Sequence, residues 1–202
     1  MENTTPFEII GAPFEMYIAP VGTAFPAVDE APTAPWALVG TSGTLDQFPE
    51  GVTLEQPQST NVFRSAGSTG ARKIFRTEED LKLRLTLADL TLEQYAHALN
   101  NNTVSTTAAS AGVPGTKKIG LSRNHTVATH ALLLRGPSPY MADGVMQYEV
   151  PRAAQTGSPS TVFKNGDAAG LALEFSALVD ETAVNPSERF GRIVAQTADA
   201  ES

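Results

Sequence analysis

Cysteine is absent from all 202 residues. Its absence excludes disulfides, thiolate metal ligands and a cysteine nucleophile, and leaves the redox compartment open. No apolar run approaches the ~20 residues needed to span a bilayer, and the first three residues are acidic and polar with no basic segment. The expectation is a soluble, unprocessed chain with no membrane insertion. Basic residues are missing from the first 63 positions, where eight acids stand. The other 14 acids equal the 14 Lys and Arg, so the net charge of −8 lies wholly in that first stretch. A pI near 4.8 is opposite to the footprint of a nucleic-acid binder.

Residues suited to catalysis are equally scarce. His125 and His130 are five apart, which on a strand puts them on opposite faces, and His97 falls off the apolar stripe of the helix expected around it. Glu78, Glu79 and Asp80 are consecutive, so on an extended chain their carboxylates diverge. The run from Gly112 to Lys117 departs from phosphate-loop spacing, and neither a G-x-S-x-G nor a G-x-G-x-x-G pattern occurs. The expectation is no catalytic residue, no cofactor and no metal.

What the chain does contain is periodicity. From Leu81 to Leu87 every second residue is leucine, with Lys82, Arg84 and Thr86 between, as in a half-buried strand. The period then becomes helical through Leu92, Tyr95, Ala96 and Leu99. Thr91 and Gln94 stand at capping-box spacing, Leu90 is placed to staple onto Tyr95, and residues 100–102 form the exit. A second strand at 169–179 alternates in the same way. Shorter strands are expected at 15–19, 36–40, 116–121, 130–135, 144–150, 161–164 and 189–195. Asn165-Gly166 reads as a type I′ hairpin turn joining 161–164 to the long strand after it.

Four prolines stiffen a loop at 20–35, and Trp36 after it is expected to pack rather than to bind. Pro57 breaks residues 51–63 into either an edge strand or two strands flanking an exposed excursion. Residues 64–71 are small, 100–115 reads as loop, and no internal repeat is found. The expected fold is mainly β: a single domain over residues 1–202, a β-sandwich or partial barrel with one short α-helix. An arm at about 1–12 and a C-terminal tail at about 180–202 flank it.

The stretch F-R-T-E-E-D from Phe75, then L-x-L-x-L-x-L-A-D-L-T-L-E-Q-Y-A, resembles the major tail tube proteins of long-tailed, siphovirus-type bacteriophages. G-V-T-L-E-Q from Gly51 and R-S-A-G-S-T from Arg64 belong to the same pattern, so the resemblance covers about residues 50–100. It implies the tail-tube fold, in which sheets join between subunits into a ring-wide barrel, and a structural virion protein without a catalytic site. Stacked hexameric rings would form a hollow tube for double-stranded DNA, with other tail proteins at its ends. The chain would be made in the host cytoplasm and reside in the virion tail. Residues 56–71 would project toward the next ring; the alternative is a hairpin tip without a partner.

The acidic first third and the basic cluster after it suit copies meeting head to tail, unless those acids only solvate loops. Glu50, Glu55, Arg64, Arg72, Lys73 and Arg76 are the candidate interface residues. Two other readings share the fold class: a β-sandwich binding module, adhesin or carbohydrate-binding, and a related component such as a tail terminator or secretion-system tube. The first needs an aromatic platform or polar pocket that scattered Trp36, Tyr17, Tyr140 and Tyr148 do not suggest.

Overall fold

The computed structural model describes residues 6–40 and 46–200. Along the chain run β1 (Glu15–Pro20), β2 (Ala37–Leu38), β3 (Thr53–Glu55), β4 (Gln58–Phe63), β5 (Lys73–Glu79), β6 (Lys82–Leu87) and α1 (Leu92–Ala98). There follow β7 (Ser105–Thr107), β8 (Thr116–Lys118), β9 (Thr129–Pro137), β10 (Val145–Gln155), β11 (Leu171–Ala177), a 3-10 turn (Pro186–Glu188) and β12 (Arg192–Ala195). The fold is mainly β and antiparallel, and no barrel closes among the described residues.

Eight strands form one sheet in the order β2-β1-β9-β10-β11-β6-β3, with β12 also on β10. The fork lies on β10. One of its edges is taken by β9, while the other is shared by β12 along residues 146–149 and β11 along residues 153–155, with a register break between Val150 and Ala153. A bulge of this kind bends the strand and lets the sheet fold over itself. Met16, Ile18, Leu132, Leu134 and Val150 of one layer therefore meet Leu83, Leu85, Leu87, Leu171, Leu173 and Phe175 of the other in a single core. The leucine alternation of β6 and its counterpart in β11 thus bury one row each, as their spacing predicts.

Strand β9 is buried on both faces, which its run Ala-Leu-Leu-Leu at 131–134 permits. Its second face packs Ala131 and Leu133 with Ala19 and Trp36 under the proline-rich loop. Side chains tie that loop down: Trp36 Nε1 donates to the Ala24 carbonyl at 3.0 Å and Gln147 Nε2 to that of Pro26 at 2.8 Å. Arg135 donates to the carbonyls of Val28 and Glu30. Gln147 also donates to buried Glu149, whose carboxylate accepts from Arg192 Nε at 2.6 Å, so this buried acid is paired.

Helix α1 departs from expectation at its start. Thr91 makes no side-chain cap; Asp89 Oδ1 instead accepts from the Thr91 amide at 2.8 Å. Gln94 turns inward and its Oε1 accepts from the Gly40 amide at 2.9 Å, so a tertiary bond has displaced the capping box. The exit is as read, with Asn100 and Asn101 in the left-handed region. His97 is not on a free face: its Nδ1 is buried without a hydrogen-bond partner, and His130 of β9 acts on it. Burial first, and then His130, push the His97 imidazole down to about 4; burial also lowers His130.

Three further expectations are corrected. No strand forms at 161–164, where only an isolated bridge joins Lys164 to Asp167. Gly166 has a φ of +78° while Asn165 is not left-handed, so this turn is not type I′. The segment read as loop at 100–115 contains β7, which pairs with β8 apart from the main sheet.

Truncating Phe175, fully buried in the core, to Ala is expected to cost about 3–5 kcal/mol in urea unfolding. Because the His97 pKa is depressed to about 4 from 6.5, the unfolded chain binds more protons between those values and stability falls as pH drops through that window. Urea midpoints measured from pH 7 to pH 4 should decline, and His97→Gln should flatten the decline.

Candidate assembly interface

Strands β3 and β6 leave the body through a break. Pro57 interrupts one strand and Asp80 the other, and the Asp80 amide donates to the Pro57 carbonyl at 3.0 Å across the neck. Beyond it, β4 and β5 form a sheet of their own. Of the two readings left open for residues 51–63, the structure has two strands on either side of Pro57. The projection is longer than the expected 56–71, since all of β5 lies in it as well. At about 3.3 Å per residue the six residues of β4 extend it by about 20 Å.

Register sorts its side chains onto two faces. Val62 opposes Ile74 on one; Asn61 opposes Phe75 and Phe63 opposes Lys73 on the other. Phe63, Ile74 and Phe75 are 55%, 62% and 48% exposed, so each face leaves large apolar groups in water. The Lys73 ammonium lies 5.0 Å from the Phe75 ring centroid. Arg76 Nε donates to Gln58 at 3.0 Å and its guanidinium sits 3.4 Å from Glu79. The Arg72 amide donates to the Phe63 carbonyl at 2.9 Å, closing the tip that carries Arg64. Residues 60–76 hold four cations and no acid, leaving the rest of the chain with 22 acids against 10 cations.

The six sequence candidates therefore separate. Arg64, Arg72, Lys73 and Arg76 come together on the ribbon. Glu55 lies in the body, where Arg84 spans it at 2.8 Å and Glu174 at 2.7 Å. The bond to Glu174 leads in raising the Arg84 pKa. Glu50 is exposed beside Gly51, whose φ is +64°. It stands at the rim of a groove of about 430 Å³ formed by residues 11–14 and 47–52.

Sequence reading missed that β5 is outside the body. The signal was present: Lys73, Phe75 and Thr77 on one row and Ile74, Arg76 and Glu78 on the other are both mixed, unlike the pure rows of β6. Among the described residues no group of three His, Asp or Glu is placed to hold a metal, and no helix is long and apolar enough to cross a membrane. Neither a protein-family model nor a curated protein matches this chain.

Because Phe63 and Phe75 lie outside the core, Phe63→Ser with Phe75→Ser should change the unfolding free energy of the monomer by less than about 1 kcal/mol. A larger loss in urea titration would mean that the ribbon packs on its own body.

Proposed function

We propose that this chain is a structural virion protein that assembles into stacked rings, the hollow tail tube of a long-tailed phage. The observation that carries the reading is the β4–β5 ribbon. A two-stranded sheet by itself is marginal in water, and this one exposes Phe63, Ile74 and Phe75 and concentrates cations on an otherwise acidic protein. A second copy of the chain supplies both an apolar surface and the opposite charge. The resemblance of residues 50–100 to tail tube proteins supplies the ring and its six-fold count.

Among the described residues strands β3 and β12 each pair on one side only, and edges of this kind are satisfied when sheets join between subunits. Head-to-tail contacts of that sort close rings or extend filaments. Six copies, each giving the four strands β10, β11, β6 and β3, make about 24 strands about 4.8 Å apart, which at a tilt of about 40° is a circumference of about 150 Å. Allowing about 5 Å of side chain per wall leaves a lumen of about 38 Å, wide enough for duplex DNA. On the outward row of this layer Arg84 is matched by Glu55 and Glu174. A cation matched in this way does not hold a phosphate, which favours sliding of DNA along the wall. The protein acts in the virion tail after synthesis in the host cytoplasm, with other tail proteins at the tube ends.

Concentrated purified protein should form hollow tubes in negative-stain microscopy; a persistent monomer would overturn the reading. Arg72→Glu with Lys73→Glu should abolish tubes while leaving the circular dichroism of the monomer unchanged. Raising salt from about 0.05 to 0.5 M should slow assembly, because screening shortens the reach of the ribbon's charge.

A further inference from the structure

We infer that the groove between residues 11–14 and 47–52 is the acceptor for the β4–β5 ribbon of a second copy, an assignment that rests on the tube reading and specifies its stacking contact. The placement comes from β6. The ribbon joins β6 at its start through Asp80 and Leu81. The groove segment pairs with the other end of the same strand: Gln47 bridges Leu87, and the Phe48 amide donates to the Thr86 carbonyl at 3.0 Å. From Leu81 to Leu87 is about 20 Å of extended chain, so the neck of the ribbon and the groove segment at residues 47 and 48 lie at opposite ends of this strand. A contact between them in two copies joins opposite ends of β6, which is the head-to-tail kind that stacking needs.

The chemistry of the two surfaces is complementary. The groove is lined by Pro13, Phe14, Phe48, Pro49 and Val52, with Glu50 and no cation in its walls. The Glu50 carboxylate has no ion-pair partner among the described residues, whereas Glu55 and Glu149 in the body are already matched by arginines. The ribbon near its tip offers Phe63 and Phe75 as the apolar part and Arg64, Arg72 and Lys73 as the charged part. Seating Phe63 against Phe14 and Phe48 brings Arg72 toward Glu50, pairing a free acid with a free cation at the rim of an apolar contact.

The absence of cysteine makes the test unambiguous. Single variants Thr69→Cys, at the ribbon tip, and Pro49→Cys, at the groove, are mixed in equal amounts, allowed to assemble and treated with a short bismaleimide. The expected result is a Thr69→Cys to Pro49→Cys heterodimer on denaturing gels, with at least tenfold less product when Pro49→Cys is replaced by Thr106→Cys on β7. Glu50→Arg should slow assembly at low salt at least tenfold, and adding Arg72→Glu to it should restore part of the rate. Tubes that assemble without the 69–49 link would overturn the groove assignment while leaving the tube reading standing. No assembly by the unsubstituted chain would overturn both.

Discussion

A two-stranded ribbon has no second layer to pack on, so its side chains meet water on both faces unless another molecule covers them. In this chain that constraint falls on residues 58–79, where Phe63, Ile74 and Phe75 stay exposed although the body holds a closely packed core. A polar hairpin of the same length would need no explanation. Apolar residues distributed to both faces, together with four cations and no acid between positions 60 and 76, are what the tube proposal reads as half of an interface.

The body anchors that ribbon through β6. Strand β6, from which it springs, lies between β11 and β3 and contributes Leu83, Leu85 and Leu87 to the core, while Arg84 is fixed between two carboxylates on its outer side. The fork at β10 brings the opposing layer over those leucines. Behind it β9 is clamped from its other face by the proline-rich loop, held by Trp36, Arg135 and Gln147. The inward rows of β6 and β11 and both faces of β9 are covered within the chain, whereas both faces of the ribbon carry exposed apolar side chains.

Where local pattern and tertiary need coincide, the sequence was legible. The alternating leucines of β6, their counterpart in β11, the short helix, its asparagine exit and the packed Trp36 all follow from period and composition. Legibility failed where a distant partner overrode a local preference. Gln94 gave up its cap for the Gly40 amide, and His97 met His130 across a sequence gap that no periodicity spans. Asn165-Gly166 formed a turn without the strands that would have made it a hairpin, because the residues before it found no sheet to join. Of the interface candidates, the basic members cluster as their sequence proximity suggests. Glu50 and Glu55 part company because five residues along a broken edge put them at different levels of β6.

The central claim is that the ribbon is unsatisfied within one chain and not needed by it. Sedimentation velocity on a variant with residues 57–80 replaced by a two-residue turn tests this most directly, alongside the intact chain at the same high concentration. The account predicts large assemblies for the intact chain and a folded monomer of undiminished thermal stability for the variant. A shortened chain that still assembles, or one whose body unfolds, would contradict it.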